Sequence, residues 1–440
     1  MKLSKYVHKF TISKTVVALY HSLTIECVFI DITELNDILT TKNGDNYTYL
    51  QKHYFIVEQD SDDLLVFQKA LELIEGPSLI NTYILTSENC NFACKYCFLS
   101  KLTQAQCCNK NMSVEVADQT IKLLQREYKN NPTKYSRFIS FFGGEPLLNF
   151  QLIKYIVDKI SLLIQNKDFP SDIKFGMVTN ASLLTEDIIR YCISKDIGIG
   201  ISFDIIEEAS TQRITKKGSS TFNIVKEKIS LCQKLGAEFS ISTTVTSAIL
   251  SNPVKVVDEI IRLNPPSISL NMLIPDKGSA FNRSYYHEYA DFLIYAYNRL
   301  REFGIYEDRM MRKMRAFTNR NLYYNDCCAT GGHQFVITHN GRIGVCHAFL
   351  NTTGEFFNAS VFDENISLST NSDSLCWSQI TPLKKEQCLE CECLGICGGG
   401  CAYVANNMHG SIGALDDGFC IVSKKILKWM IDDLYKVSNV

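Results

Sequence analysis

Cys90, Cys94 and Cys97 stand as C-x3-C-x2-C in the stretch Leu85-Thr-Ser-Glu-Asn-Cys-Asn-Phe-Ala-Cys-Lys-Tyr-Cys-Phe98. Three thiolates this close can hold three irons of a cubane [4Fe–4S] cluster, because thiolates are the soft ligands that iron–sulfur centres select. The fourth iron is then free of protein, and a small molecule carrying an amine and a carboxylate can chelate it. A zinc knuckle or plain buried cysteines are the alternatives. Structural zinc wants a fourth ligand nearby, and the next cysteines, Cys107 and Cys108, follow a polar stretch at no zinc-like spacing. A second cysteine-rich region lies near the carboxy terminus. There Cys388-x2-Cys391-x5-Cys397-x3-Cys401 is ordered, with Cys420 beyond it and Cys327, Cys328 and Cys346 upstream.

The 440 residues contain eighteen cysteines, and only Cys27, Cys192 and Cys232 fall outside the two regions. Disulfides are rare in a reducing cytosol, so dense cysteines there point to metal or redox chemistry. A formal charge of −2 gives no basic stripe for nucleic acid. No apolar run reaches membrane-spanning length, and the first residues lack the apolar core of a signal peptide. The expectation is a cytoplasmic protein without membrane or nucleic-acid partners.

Between the cysteine regions, short apolar runs alternate with amphipathic stretches. Tyr83–Thr86, Phe138–Phe142, Ile173–Val178, Ile197–Ser202, Glu238–Val245 and Ser267–Leu270 read as strands. Ser113–Tyr128, Phe150–Ile164, Leu184–Ile193, Thr221–Leu235 and Val254–Leu263 read as the helices between them, with Ser113 an N-cap. Such alternation implies parallel βαβ units. The cysteine spacing, the strand before it and Tyr96 just before the last cysteine resemble the radical S-adenosylmethionine (SAM) superfamily. The resemblance implies an α/β fold, a partial (β/α)6 TIM-like barrel. It also implies a [4Fe–4S] cluster on Cys90, Cys94 and Cys97, with SAM on the open iron cleaved to a 5′-deoxyadenosyl radical. It assigns Gly143-Gly144-Glu145-Pro146 to the SAM amino group and places Ser202 and Arg213 at the SAM carboxylate, with Tyr96 beside the cofactor. Where family members often carry glycine after the aspartate, this chain has Ile205.

The later cysteines resemble the SPASM extension of radical SAM enzymes, a loop-rich Fe–S domain with two auxiliary clusters. The resemblance assigns Cys388, Cys391, Cys397 and Cys420 to the outer cluster and Cys328, Cys346 and Cys401 to the inner one. Cys327 is an alternative or fourth ligand there. Three [4Fe–4S] clusters are therefore expected. His347, directly after Cys346, replaces the Asp that sulfatase-maturating relatives use as base, and it is a candidate proton acceptor.

Before the barrel, Thr15–Tyr20 and Thr24–Ile30 read as a β-hairpin, Tyr54–Val57 as a short strand, and Glu34–Leu39 and Asp60–Ile74 as helices. This small α+β segment resembles the winged-helix-like leader-recognition domains of ribosomal-peptide maturases, which capture a leader as an added strand. The expected organisation is leader recognition over 1–78, radical SAM core over 79–275, helical linker over 276–326 and SPASM domain over 327–440. The implied function is a radical SAM oxidoreductase that crosslinks a precursor peptide through a thioether or a carbon–carbon cyclophane. The expected partners are that peptide and an electron donor such as flavodoxin or ferredoxin. A sulfatase-maturating-type enzyme forming formylglycine and a peptide epimerase are the alternatives.

Overall fold

A computed structural model describes residues 1–99, 110–327, 329–351, 355–367 and 370–438. Cys107, Cys108 and Cys328 lie outside the described residues. The chain begins with β1 (Lys2–Leu3), β2 (Val7–Thr11), β3 (Val16–His21), β4 (Glu26–Asp31) and β5 (Ile56–Val57). Strands β2, β3 and β4 form an antiparallel sheet in that order, while β1 pairs with β5. The expected hairpin is therefore two strands of three. Val7–Thr11 escapes a reading by alternation because none of its residues is fully buried. Asp31 caps the helix Ile32–Thr41 by accepting from Thr33 N, and further helices span Tyr47–Lys52 and Asp60–Glu72. Strand β3 has two buried faces. Val17 and Leu19 pack with Leu35, Ile38, Leu50 and Phe55, whereas Ala18 and Tyr20 join the main core.

The main sheet carries β6 (Asn81–Ser87), β7 (Arg137–Gly143), β8 (Ile173–Thr179), β9 (Ile197–Ser202), β10 (Phe239–Val245) and β11 (Ser267–Met272) as consecutive parallel neighbours. The helices Val114–Asn130, Phe150–Gln165, Glu186–Ser194, Phe222–Leu235 and Pro253–Leu263 connect them. Each begins or ends within a few residues of its expected bounds, and Ser113 does cap the first, accepting from Val116 N. Two flanks were not legible. On one edge β12 (Tyr306–Glu307) adds a parallel strand beside β11. On the other, β13 (Gln334–Ile337) runs parallel to β6, followed by antiparallel β14 (Arg342–Gly344) and β15 (Ala359–Ser360). The carboxy-terminal region thus completes the same ten-stranded sheet.

The two faces of this sheet differ. Ile197, Ile199 and Ile201 of β9, Phe239 and Ile241 of β10, and Ile268 and Leu270 of β11 are buried in one core with the helices. The alternate residues are Gly198, Gly200 and Ser202, then Ser240, Ser242 and Thr244, then Ser267, Ser269 and Asn271, all half-buried. A parallel sheet covered on both sides reads as continuous apolar runs. Here the second face is lined by small and hydroxylated residues that leave room instead of filling it. Ser202, Ser242 and Ser269 stand in register across it.

Helices Arg283–Glu302 and Asp308–Thr318 follow β11, and the last helix, Asp417–Ser438, packs against the first of these. Arg301 holds Asp433 with two contacts of 2.9 Å. Among the described residues no helix is long and apolar enough to cross a membrane. Glu307 clasps this region, accepting from Leu270 N (3.1 Å) and Met310 N (2.7 Å) while fully buried. Burial pushes its carboxyl up to about 7, against the pull of those amides. A carboxyl raised above its unfolded value contributes stability below the unfolded pKa and loses it as pH rises through the folded one. Relative to a Glu307→Gln protein, wild type should therefore lose about 2–3 kcal/mol between about pH 5 and about pH 9. Melting temperatures of both proteins across that range provide the check.

Candidate active site

Polar residues collect at the carboxyl ends of the parallel strands, where α/β sheets place their sites. Strand β6 leads into the cysteine loop, which is anchored as an extended segment. Ala93 N donates to Ile214 O (2.7 Å) and Lys95 N to Gln212 O (2.8 Å). Phe92 N donates to Cys90 Sγ at 3.4 Å, and Asn180 Nδ2 reaches the same sulfur at 3.8 Å. Cys90, Cys94 and Cys97 are half-buried free thiols, and Cys90 lies within electrostatic reach of the other two. Burial pushes Cys90 up to about 12 and Cys94 to about 11. Three soft donors in one anchored loop, protonated until a metal supplies compensating charge, fit a three-ligand cluster site.

Gly143 and Gly144 let the chain approach itself. A Cβ on Gly143 would lie 2.0 Å from Ser87 O, and one on Gly144 would lie 2.3 Å from Asn89 O. Gly144 N and Glu145 N donate to those same carbonyls, at 2.9 and 2.8 Å, so the Gly-Gly-Glu segment is laced to the residues just before Cys90. Glu145 is fully buried. It accepts from Thr179 Oγ1 (2.6 Å), Asn180 N (2.8 Å) and Leu147 N (3.1 Å). Its carboxyl is pushed up to about 7 by burial despite these donors. A carboxylate offers about four lone-pair directions, and three are taken by the chain.

Arg213 and Tyr96 share a partner that sequence reasoning alone did not reveal. Tyr96 Oη donates to both oxygens of Asp204, at 2.7 and 2.8 Å. Arg213 pairs with the same carboxylate at 3.4 Å and lies over the Tyr96 ring at 5.6 Å. Arg213 and Asp204 are both buried. The cysteine loop is thus tied through Tyr96 to the end of β9. Ile205 follows with φ +67° and no exposure. A β-branched residue in the left-handed region is a genuine strain, so the loop keeps the conformation glycine would adopt freely. Asp204, Asn180 and Thr179 carried a signal, since each stands at or just past a strand's carboxyl end.

In the carboxy-terminal region Cys388, Cys391, Cys397 and Cys420 are mutual electrostatic neighbours. Cys346 lies beside Cys327 and Cys401. Cys327 therefore stands with the inner group, while Cys328 lies outside the described residues. Gly398, Gly399 and Gly400 run through three successive left-handed conformations, with φ of +78°, +86° and +75°. That turn lets Gly399 N donate to Cys397 Sγ at 3.2 Å. Backbone amides gathered in this way favour an anionic centre. Buried cations do the same. Lys313 Nζ donates to Cys397 O (2.9 Å), and Lys385 Nζ, in reach of Cys388, Cys397 and Cys420, donates to Ala414 O (2.7 Å). Asp416 accepts from Cys401 N at 3.0 Å. Among the described residues no three such side chains close on single-ion spacing, and a cubane, which spreads its thiolates over separate irons, does not ask for it.

His347 is half-buried among Tyr83, Phe98 and Phe142, whose ring centres lie 5.3, 5.5 and 4.9 Å away. Its Nδ1 has no partner among the described residues, and burial pushes the imidazole down to about 4. It is a neutral ring packed over β6 and β7 at neutral pH.

Residues 84–263 match the radical SAM superfamily. The chain carries a radical SAM domain. It is 23% identical over 433 residues to the radical SAM cyclopropyl synthase TigE of Paramaledivibacter caminithermalis, spanning 92% of this chain and 85% of that protein. Its fold is similar to that of native anSMEcpe with bound AdoMet and Cp18Cys peptide (TM-score 0.67, 19% identity), covering 82% of this chain and 99% of that one. It is also similar to Streptococcus suis SuiB bound to precursor peptide SuiA (TM-score 0.53, 18% identity), covering 95% and 99% respectively. The chain is a radical SAM enzyme related to peptide-modifying ones, and the domain brings a [4Fe–4S] cluster and SAM.

The Tyr96–Asp204–Arg213 arrangement predicts a specific non-additivity. Asp204→Asn leaves a buried guanidinium without its countercharge and should destabilise the protein by about 3–5 kcal/mol. Adding Arg213→Met should restore part of that loss, which melting temperatures of the single and double variants would reveal.

Proposed function

We propose that this radical SAM enzyme is a peptide maturase that forms an intramolecular crosslink in a ribosomally made precursor, using three [4Fe–4S] clusters. When bound at Cys90, Cys94 and Cys97, the cluster and SAM supply a 5′-deoxyadenosyl radical that removes a hydrogen atom from an unactivated carbon. The protein's part is to orient one C–H bond and exclude competing reactions. Tyr96, Asp204 and Arg213 hold the cysteine loop against β9. Gly143, Gly144 and Glu145 brace it against β7 and β8. Ser202 and its in-register hydroxyls leave space on the sheet's open face for SAM and a peptide.

The observation that carries the reading is the hydrogen-bonded pairing of β13 with β6. Strand β6 opens the three-cysteine loop, and β13 belongs to the segment that holds Cys327 and Cys346. Closing a bond after one hydrogen abstraction leaves one electron to remove. A second ligand set on the same sheet, Cys327 or Cys328 with Cys346 and Cys401, is where the protein can keep a centre to accept it. An epimerase needs no such acceptor. The lowered imidazole of His347 is a weak proton acceptor, which counts against its use as the base of a formylglycine-forming enzyme. The amino-terminal sheet, with β2 and β4 as its edge strands, is read as the leader-binding element.

Two measurements test this. Anaerobic reconstitution should load about twelve irons per chain, as three cubanes require. Changing Cys90, Cys94 and Cys97 together to Ala should remove one cluster's worth and all SAM cleavage, and saturation at about four irons in wild type would refute the auxiliary clusters. The modified core peptide should be lighter by a hydrogen pair, with no added atoms and a stretch that resists fragmentation. An aldehyde at Cys or Ser, or a single solvent deuterium at unchanged connectivity, would replace crosslinking with the corresponding alternative.

A further inference from the structure

Strand β3 joins the amino-terminal sheet to the outer thiol group, and Tyr20 stands at the contact. The residue has no exposure. Its ring stacks on Phe317 with centres 6.1 Å apart and meets the edge of Phe10 at 6.4 Å. Its hydroxyl has no hydrogen-bond partner among the described residues. Buried tyrosine hydroxyls ordinarily find one. Tyr20 shares its core with Cys393 and Ile396, and Cys391 and Cys397 pack against that core. Cys393, Cys27, Cys397 and Cys391 are the groups within electrostatic reach of its oxygen. The turn after β3 lies equally close, since a Cβ on Gly395 would sit 2.2 Å from Ser22 O. Gly395, between Cys393 and Cys397, is therefore seated on the turn that follows β3, two residues from Tyr20.

We propose that Tyr20 is a positioning residue for the outer site: its hydroxyl donates to sulfur of the centre held there, so the amino-terminal sheet helps set that centre's reduction potential. The proposal rests on the reading that Cys388, Cys391, Cys397 and Cys420 hold a [4Fe–4S] cluster. The chemistry is that of any donor to a cluster sulfur. A hydrogen bond stabilises the reduced, more negative form and raises the potential. A neutral phenol can only help in this sense, because it brings a proton to an electron-rich acceptor. The acceptor appears when the centre is bound, which accounts for an otherwise orphaned hydroxyl.

The test uses full-length, anaerobically reconstituted protein and a redox titration followed by electron paramagnetic resonance. Tyr20→Phe should retain the iron content of wild type while one auxiliary signal moves to lower potential and the others stay. Phe317→Leu, which alters the same packing without removing a donor, should leave all potentials in place. An unmoved signal in Tyr20→Phe, or an equal movement in Phe317→Leu, overturns the proposal. Should Tyr20→Phe fail to accumulate, wild type made with ring-deuterated tyrosine decides the matter. Deuterons must couple to the spin of the outer centre, and absence of that coupling overturns the proposal. Iron content of wild type is read first. Too little iron for an outer cluster removes the site reading and the proposal together, whereas full iron with an unmoved potential removes the proposal alone.

Discussion

Thiols gathered inside the protein in separate groups are the constraint around which this chain is arranged. Burial lifts Cys90, Cys401 and Cys420 to about 12 and Cys397 to about 11. Thiols raised in this way keep their protons near neutral pH, and binding of a metal to such groups releases them. The surroundings favour the ionised state. Lys313, Lys385 and Arg213 bring positive charge into the interior, each with its own hydrogen bonds to the chain. Amides of Phe92, Cys393 and Gly399 point at sulfur. Cys391 departs from the pattern, since a hydrogen bond with Cys393 brings it down to about 7. Asp326, half-buried, is held below the usual carboxylate range because Lys313, Arg309 and Arg312 outweigh its desolvation.

The sheet answers a second requirement, that both thiol regions be fixed relative to one another. Hydrogen bonding β13 to β6 makes them parts of one element, so their separation is set by backbone geometry and not by a linker. The same economy shows on the sheet's faces. Isoleucines of β9 and β10 bind the helices, while glycines and serines at alternate positions keep the other face open. A single period-2 pattern therefore builds the core and the space for reactants together.

Much of this was legible. The strands and helices from β6 to β11 followed from apolar periodicity because each strand buries one complete face. The cysteine groups were visible from spacing, since their spacings are short and local. What escaped depends on distant partners. Tyr306–Glu307 is too short to show a period, and its assignment as a strand comes only from lying beside β11. Gln334–Ile337 is apolar enough to be a strand, but nothing local says that its neighbour is Asn81–Ile84. Arg213 was singled out for a carboxylate, and the structure gives it one, Asp204, in its own chain. Glu145 was expected to face a ligand, and most of its accepting capacity goes to Thr179, Asn180 and Leu147. In both cases the sequence shows the residue type, and the partner within the chain comes only from the fold. Tyr20, Lys313 and Lys385 carry no sequence signal at all, because an isolated aromatic or lysine says nothing about what it lies against.

The pairing of Gln334 with Asn81 also bears on how the chain is made. As synthesis proceeds, β6 to β11 and their helices leave the ribosome long before β13 exists. Until then β6 presents an unpaired edge of backbone donors and acceptors, with the apolar Tyr83 and Leu85 beside it, a template on which strands of other molecules can form. Contacts so far apart in sequence close late and slowly. A nascent or truncated form ending before β13 is therefore an aggregation hazard, and slow translation or chaperone cover across that interval is what the topology demands of the cell that makes it.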